Sequence, residues 1–245
     1  MKVLVVLPTY NEAANIERML TSVRAALPEA GVLVVDDGSP DGTAAIADKV
    51  AGEAGGIEVL RRSAKSGLGS AYRTGFKWGL ERGWEAFVEM DSDFSHDPRA
   101  LPDLIDPLSK GIDLSVGSRY VPGGEIPNWS LGRRLISRGG NIYADLLLGL
   151  HVKDSTSGFR AYTSKILSKL DLDAVRAEGY GFQIEMVRQV LEHGGRVAEV
   201  PICFVDRVEG TSKMSTAIVV EAFALVTWWA AQRASEAARR VLRKL

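Results

Sequence analysis

The sequence predicts an α/β fold in which a mostly parallel sheet is covered by helices on both faces. Apolar, β-branched runs alternate with helical patterns through the first half of the 245-residue chain, as in proteins built from repeated strand–helix units. These runs are largely continuous rather than alternating in polarity, which is typical of strands buried on both faces. Polar motifs follow three of the runs. Because open sheets of this kind bind ligands beyond the carboxyl ends of their strands, we expect the motifs to converge on one crevice.

The first half contains five predicted strands and four predicted helices. The strands are the runs at residues 2–8, 31–37, 56–62, 86–93 and 113–120. The helical patterns occupy residues 13–27, 42–54, 69–82 and 98–109. The second half is less regular and gives, in order, a loop at 121–130, a helix at about 131–150, a turn with a short strand at 154–164, a helix within 179–195, a strand at 196–207 and a polar loop at 208–215. We expect one domain over residues 1–216 and a separate C-terminal segment over 217–245.

Composition and charge exclude several classes of protein. The net charge of −1 supplies no overall field for nucleic acid, and we expect no nucleic-acid partner. A single cysteine, Cys203, rules out a disulfide framework, and its apolar neighbours predict a buried, inert thiol. No signal-peptide pattern is present, and the apolar stretch at 217–231 contains Glu221 and falls short of the roughly 20 residues that span a bilayer. We expect a cytoplasmic protein.

Two carboxylates follow the fourth predicted strand. Asp91 and Asp93, two residues apart in "MDSDFSHDP", can both reach a hard cation where the strand breaks into a turn. The alternative is that they are strand-end acids that keep the segment soluble. Asp97 precedes Pro98 and is better explained as the N-cap of a helix.

Polar residues also follow the first and second strands. Asp36 and Asp37 stand where an acid commonly binds a ribose hydroxyl or a base edge; turn formation, with Asp41 or Thr43 capping the next helix, explains them equally well. In "PTYNE", Tyr10 is suited to stacking on a base and Glu12 to accepting from a ring N–H. The glycine-rich fingerprints of dinucleotide-binding folds and of P-loops are both missing from the sequence.

Cationic residues are concentrated in the second half. Arg119 and Arg207 end apolar strands, Arg133, Arg134 and Arg138 lie in one predicted helix, and Lys213 lies in the polar loop. Such residues usually form a solvated basic face. The strand-end pair is also placed where a second anion would enter the predicted crevice.

Taken in order, eight motifs resemble those of the dolichol- or polyprenol-phosphate mannose synthases, which are inverting GT-A glycosyltransferases of family 2. The resemblance covers residues 2–216 and rests on "PTYNE", "VVDDGSPDGT", "MDSDFSHDP", "GSRY", "SRGGN", "DSTSGFRAY", "GYGFQIEM" and "VPICFVDRVEGTSK". It implies a Rossmann-like, mostly parallel sheet flanked by helices. The first three motifs specify a nucleotide sugar, and the last two specify a lipid phosphate.

The resemblance also implies roles for particular residues. The donor would be GDP-mannose, with its guanosine surrounded by Pro8, Tyr10, Glu12, Val35 and Asp37. Asp91, Ser92 and Asp93 would hold the diphosphate and a Mg²⁺ or Mn²⁺ ion, and Ser95 stands where some relatives use Gln as a further metal ligand. Catalysis would fall to Asp93, Arg119 and Arg207. Lys213 would join these arginines at the phosphates, with Arg133 and Ser137 near the phosphate of the polyprenyl (dolichyl-type) acceptor.

The chemistry agrees with the absence of an obvious catalytic histidine. A phosphate monoester is already an anionic nucleophile at neutral pH because its second pKa is about 6, so sugar transfer to it requires no general base. A UDP-glucose donor, a non-catalytic nucleotide-sugar-binding subunit and a nucleotidyltransferase are the alternatives. Intact acidic and basic motifs disfavour the second, and the lack of an early glycine-rich loop with a lysine disfavours the third.

The C-terminal segment is apolar at first and then basic, which predicts amphipathic helices. Five basic residues against Glu236 give a net charge of +4 from Gln232 onwards, beside Trp228 and Trp229. This pattern suits an anionic membrane surface, so we expect a peripheral protein on the cytoplasmic face of the membrane. A helix packed on the domain explains the same pattern, and contact with a transmembrane partner protein is a third interpretation.

Overall fold

The computed structural model describes residues 1–206 and 216–242. Its strands are β1 Val3–Thr9, β2 Gly31–Asp36, β3 Ile57–Arg61, β4 Ala86–Glu89, β5 Leu114–Ser118, β6 Arg160–Thr163 and β7 Val197–Pro201. Its helices are α1 Ile16–Ala26, α2 Thr43–Ala54, α3 Leu68–Glu81, α4 Leu101–Ser109, α5 Leu131–Leu148, α6 Ser164–Leu167, α7 Gly179–Glu192 and α8 Thr216–Leu242. Every strand and helix predicted from the sequence is present, with boundaries shifted by a few residues.

The strands of the described chain form one sheet in the order β3-β2-β1-β4-β6-β5-β7. β6 runs antiparallel to both of its neighbours, and the remaining pairs are parallel. The prediction of a mostly parallel sheet is therefore confirmed. The carboxyl ends of β1, β2 and β4 lie side by side, so the polar segments that follow them meet at one edge.

Each face of the sheet carries its own hydrophobic core. In β1, Leu4 and Val6 pack with α3 and α7 on one face, whereas Val5 and Leu7 pack with α1 and α4 on the other. Successive side chains of a strand point to opposite faces, and here both faces are covered. This double burial is the physical reason for the continuous apolar runs in the sequence.

The edge of the sheet corrects one prediction. Cys203 is exposed rather than buried. It follows β7, which is the last strand of the sheet and has a neighbour on one side only. An isolated bridge to Glu125 holds the backbone at this position, and the thiol faces outward.

Helix α8 packs on α5 and α7 through Ala222, Val226 and Trp229, which are all buried. The Arg233 guanidinium donates a hydrogen bond to the carbonyl of Leu148 at the end of α5. The first half of this helix therefore follows the prediction of a helix packed on the domain. None of the described helices has the length and apolar character needed to cross a membrane.

Candidate active site

A cavity of about 570 Å³ opens at the carboxyl ends of β1, β2 and β4. The polar motifs that lie far apart in sequence converge on it, as the fold class predicts. Of the predicted site residues, the cavity is lined by Pro8, Tyr10, Glu12, Asp37, Asp91, Ser92, Asp93, Ser95, Arg119 and Arg133.

Of the other four predicted site residues, two lie away from this cavity and two are outside the described residues. Val35 is fully buried, and its side chain packs in the core with Leu33 and Val6 rather than facing the cavity. Ser137 lines a neighbouring cavity, where its hydroxyl accepts a 2.7 Å hydrogen bond from Tyr120. Arg207 and Lys213 lie outside the residues that the structure describes.

The two acids after β2 have different surroundings. Asp36 is buried and accepts hydrogen bonds from the Thr9 hydroxyl at 2.9 Å and from the Ser39 hydroxyl at 2.6 Å, so it stabilises the turn. Asp37 lines the cavity, accepts the Ser66 N–H at 3.1 Å, and lies 3.1 Å from Nε of Arg62. Turn chemistry therefore explains Asp36, and Asp37 remains the candidate for ligand contact.

Tyr10 and Glu12 follow β1 and line the same cavity. The Lys65 ammonium lies 4.6 Å from the centroid of the Tyr10 ring, and Lys65 also lines the cavity. Glu12 is buried, and its carboxylate accepts a 3.1 Å hydrogen bond from the Asn15 amide. Lys65 was not singled out in the sequence, because a lone lysine in a glycine-rich loop carries no pattern of its own.

The acidic segment leaves the sheet directly after β4. The Ser92 hydroxyl donates to the Pro8 carbonyl at 3.1 Å and thereby fastens the segment to β1. The Tyr72 hydroxyl donates to Asp91 at 3.5 Å; burial, reinforced by the charge of Asp91, raises the pKa of Tyr72 and keeps the phenol protonated. Asp93 is buried and accepts the Ser95 N–H at 3.0 Å. Both carboxylates line the cavity from this fixed backbone.

The carboxylates of Asp91 and Asp93 are suited to a hard divalent cation that also coordinates a bound ligand. In the part of the chain that the structure describes, no three His, Cys, Asp or Glu side chains cluster as metal ligands. Mg²⁺ is commonly held by one or two carboxylates together with waters and substrate phosphates, and Asp91 and Asp93 supply that minimum. Ser95 lies beside them and lines the same cavity.

The neighbouring residues have structural roles. Asp97 caps the short 3₁₀ turn Pro98–Ala100 by accepting the Arg99 N–H at 2.9 Å, as the sequence predicts. His96 is buried and stacks on Phe159 with ring centroids 5.0 Å apart. Burial lowers the pKa of His96 to about 4, so the ring is neutral at physiological pH.

Arg119 lies on the cavity wall in a buried ion pair. Its Nε donates to Asp154 at 2.7 Å, and its Nη2 donates to Asp154 at 2.6 Å and to the Thr156 hydroxyl at 2.9 Å. Burial alone lowers the pKa of Arg119, but the charge and hydrogen bonds of Asp154 outweigh it and raise the pKa. The guanidinium is therefore a fixed cation whose charge Asp154 partly balances. Asp154 could not be identified as this partner from the sequence, because it is 35 residues away in the chain.

Arg133 lies at the mouth of the cavity. It forms an ion pair with Asp206 at 2.6 Å, and its guanidinium lies 3.9 Å from the centroid of the Trp129 ring. The indole N–H of Trp129 donates to the same Asp206 at 3.1 Å. Arg134, one residue on, donates to the Ile126 carbonyl at 2.9 Å and fastens the preceding loop.

A second cavity, also of about 570 Å³, lies between α5 and α8. It shares Trp129, Arg133, Thr156 and Tyr180 with the first cavity, so the two adjoin. Its walls are mostly apolar and include Ile136, Tyr143, Ile184, Val219, Phe223 and Val226. We call it the apolar groove. Sequence reasoning missed it, although its wall residues recur at helical spacing in both helices.

The outer face of α5 is apolar and exposed. Leu131, Leu135 and Leu146 are 77%, 72% and 77% exposed, and Ile142 is 51% exposed. Together with Arg138 these residues form one stripe of the helix, because each follows the previous one by three or four positions. We call this stripe the α5 ridge. An exposed apolar patch of this kind marks an interaction surface.

The sheet topology matches the GT-A fold. The chain resembles a solved mycobacterial protein (TM-score 0.68, 21% identity, 92% of this chain and 73% of that one). It also resembles mannosyl-3-phosphoglycerate synthase from Rubrobacter xylanophilus (TM-score 0.64, 18% identity, 98% and 75%). A third solved structure is a mannosyltransferase from Pyrobaculum calidifontis in complex with GDP-Man and Mn²⁺ (TM-score 0.54, 18% identity, 99% and 75%).

The chain belongs to glycosyl transferase family 2, whose model matches residues 4–171. It is 49% identical to an undecaprenyl-phosphate mannosyltransferase of Micrococcus luteus over 94% of each chain. It is 45% identical to a polyprenol monophosphomannose synthase of Mycolicibacterium smegmatis, over 99% of this chain and 92% of that one. A dolichol-phosphate mannosyltransferase of Pyrococcus furiosus is 36% identical over 90% of this chain, which spans 61% of that protein.

Proposed function

We propose that this glycosyltransferase transfers mannose from GDP-mannose to a polyprenyl phosphate with inversion at the sugar carbon. The observation that carries the proposal is that the polar cavity adjoins the apolar groove, with Trp129, Arg133, Thr156 and Tyr180 lining both. An acceptor with an anionic head and a long apolar tail fits that pair of spaces. The relatives named for mannosyl transfer to polyprenyl or dolichyl phosphate support the same acceptor class.

The donor occupies the cavity in this proposal. Tyr10 and Asp37 contact the nucleoside, because they stand where the carboxyl ends of β1 and β2 meet. Asp91 and Asp93 hold a Mg²⁺ or Mn²⁺ ion, which when bound neutralises charge on the departing diphosphate. The related mannosyltransferase fold that binds GDP-Man and Mn²⁺ supports both the donor and the metal.

The acceptor phosphate lies between Arg119 and Arg133. Arg119 is held rigidly by Asp154 and Thr156, and Arg133 stands where the cavity meets the groove. The phosphate is an anionic nucleophile without further activation. Catalysis then consists of aligning the phosphate oxygen with the sugar carbon and stabilising the charge that develops on the leaving group. Arg207 and Lys213 remain predicted contributors to this step.

The α5 ridge is the surface that meets the membrane in this proposal. It carries four exposed aliphatic residues, with the cationic Arg138 among them. Of the two tryptophans that precede the basic tail, Trp229 is buried against α7, where Arg188 lies 5.2 Å from its ring centroid. Trp228 remains exposed. The groove opens beside α5, so a membrane on the ridge would deliver the acceptor tail to it.

A donor and acceptor screen tests the proposal. Purified protein with Mg²⁺ or Mn²⁺ would be offered GDP-mannose, UDP-glucose and UDP-GlcNAc, each with a short polyprenyl phosphate and with the matching free polyprenol. We expect transfer from GDP-mannose to the phosphate alone, giving a β-linked product by NMR. Transfer from UDP-glucose instead would establish the alternative donor, and equal transfer to the free alcohol would contradict the nucleophile.

A further inference from the structure

The Arg119 guanidinium is set by a short segment that another element holds in turn. Asp154 and Thr156 take the hydrogen bonds of its Nε and Nη2, and Asp154 also accepts the backbone N–H of Arg119 at 2.9 Å. These two residues precede β6 and belong to neither α5 nor β5, the strand that Arg119 directly follows. Whatever fixes residues 154–156 therefore fixes Arg119.

Asn141 of α5 holds this segment. Its Nδ2 donates to the Thr156 hydroxyl at 3.1 Å and lies 3.5 Å from Oδ1 of Asp154. Its Oδ1 accepts the Ser155 hydroxyl at 3.1 Å and the Thr156 N–H at 3.2 Å. The amide is 2% exposed. Both ends of one buried amide thus bond to three consecutive residues, which is a rigid and directional arrangement.

The Thr156 hydroxyl is the shared atom of the network. It accepts from Arg119 at 2.9 Å and from Asn141 at 3.1 Å, and it lies 3.3 Å from Oδ1 of Asp154, to which it donates. Thr156 also lines both the polar cavity and the apolar groove. A shift of Asn141 therefore changes the two partners of Arg119 at the junction of the two spaces.

The helix that carries Asn141 is the helix that walls the groove. Nδ2 of Asn141 also donates to the carbonyl of Ser137, one turn earlier, and Ser137 and Gly140 line the groove. The buried side of α5 therefore contacts the Arg119 network through Asn141, and its exposed side is the α5 ridge.

We propose that Asn141 is a positioning residue that sets the Arg119 guanidinium through Thr156 and Asp154, and so ties the polar cavity to the helix that walls the apolar groove. The inference rests on the proposed function, in which Arg119 contacts the acceptor phosphate. It assigns a role to a residue that touches neither substrate. A role in packing alone would depend on the size of the side chain, whereas the positioning role depends on the Nδ2 donor.

Two substitutions separate these roles. Asn141→Ala removes both hydrogen-bonding ends, whereas Asn141→Asp keeps the size and the acceptor but places a second carboxylate beside Asp154. We expect each to lower kcat/KM for the polyprenyl phosphate by about tenfold, with KM for GDP-mannose little changed. A packing role would leave Asn141→Asp close to wild type. Asp145→Ala is the matched control, because Asp145 lies one turn further along α5 and accepts the His151 N–H at 2.6 Å without contacting the network.

A double-mutant cycle asks whether Asn141 acts through Arg119. In an Arg119→Lys background the fork of hydrogen bonds is already lost, so adding Asn141→Ala should cost less than about twofold. Additive losses would overturn the inference while leaving mannosyl transfer by the wild type intact. Failure of the wild type itself to transfer mannose would instead count against the proposed function.

A spectroscopic measurement decides the positioning role without activity. The Arg119 Nε–H signal, assigned by its disappearance in Arg119→Lys, should exchange slowly with solvent in the wild type because Asp154 accepts it. We expect exchange at least about tenfold faster in Asn141→Ala and unchanged in Asp145→Ala. Equal exchange in the wild type and Asn141→Ala, with both proteins folded by circular dichroism, would overturn the inference.

Discussion

Asp93 is the residue whose substitution tests the metal most directly. It is buried beside the cavity, and its carboxylate is oriented by the Ser95 N–H. Asp93→Asn keeps the size of the side chain but removes the charge that a hard cation requires, so we expect kcat to fall by at least about a hundredfold. Transfer rates and Mn²⁺-dependent GDP binding by calorimetry would measure the loss.

The matched control is Asp97→Asn, four residues away. Asp97 caps the Pro98–Ala100 turn, and asparagine caps as well as aspartate. This variant should retain near-normal rates. Full activity of Asp93→Asn in EDTA-treated buffer would show that the carboxylate pair binds no catalytic metal.

Glu89 leads to a prediction about pH. It is fully buried in β4, its carboxylate accepts a 2.9 Å hydrogen bond from the Gln183 amide, and burial raises its pKa to about 7. From the ordinary pKa of 4.5 up to about 7, the folded protein holds a proton that the unfolded chain has lost. The contribution of Glu89 to the free energy of unfolding therefore falls as pH rises through this window and then levels off.

Glu89→Gln should remove that contribution. We expect the Tm of wild type, measured relative to this variant, to decrease between pH 5 and pH 7. Glu58→Gln, an exposed strand glutamate, should preserve the wild-type pH dependence. A Tm difference between wild type and Glu89→Gln that is constant with pH would contradict the assignment.

At the scale of elements, α5 and α8 form the groove that the acceptor tail occupies in our proposal. Gly140 lines the groove, and a Cβ built there lies 3.9 Å from Cζ of Phe223. The larger side chain of leucine would extend into the space between the two helices. We expect Gly140→Leu to lower kcat/KM for long polyprenyl phosphates by about tenfold or more and to leave GDP binding unchanged.

Gly139→Leu is the control for this prediction. A Cβ at Gly139 meets nothing within 4 Å, and the residue is exposed. Both substitutions replace glycine within a helix and should favour the helix by similar amounts. Equal activities of the two variants on a long acceptor would show that the tail does not lie in the groove.

The elements themselves were predictable, and the contacts between them were much less so. Continuous apolar runs predicted the strands because both faces of the sheet are covered. Because ligands bind beyond the carboxyl ends of parallel strands, Asp37, Asp91 and Asp93 were expected to meet, and they line one cavity. The Val35 side chain packs in the core, because successive side chains of a strand point to opposite faces and both faces are covered here. Its place beside the guanosine therefore stays a prediction. Cys203 was wrongly expected to be buried, because strand order decides which run lies at the edge.

The network around Arg119 shows where sequence reasoning stops. Asp154 and Asn141 lie within quoted motifs, "DSTSGFRAY" and "SRGGN". Their hydrogen bonds to Arg119 and Thr156 depend on how α5 packs against the residues before β6. No local pattern encodes that packing. The groove depends in the same way on the contact between α5 and α8.

We expect the whole protein to meet an anionic membrane surface, and two regions could form the contact. The sequence offered the basic tail as one candidate for membrane contact, and the structure adds the exposed α5 ridge and buries Trp229. Each exposed leucine that enters the interface contributes through apolar area, about 25 cal/mol per Å², and each nearby arginine contributes roughly 1 kcal/mol at an anionic surface. Replacing Leu131, Leu135 and Leu146 with serine should therefore reduce binding to anionic liposomes at every salt concentration.

Replacing the tail arginines Arg239, Arg240 and Arg243 with glutamine tests whether the tail contacts the membrane instead of the ridge. Because electrostatic attraction is screened within about 8 Å at physiological salt, this variant should lose binding at low salt and match the wild type once salt is raised. Co-sedimentation with vesicles containing anionic lipid would measure both, and transfer to a detergent-solubilised acceptor would show that each variant is folded and active. If the serine variant sediments like wild type while the glutamine variant stays in the supernatant, the membrane contacts the tail rather than the ridge, and the groove must be reached from another side of α5.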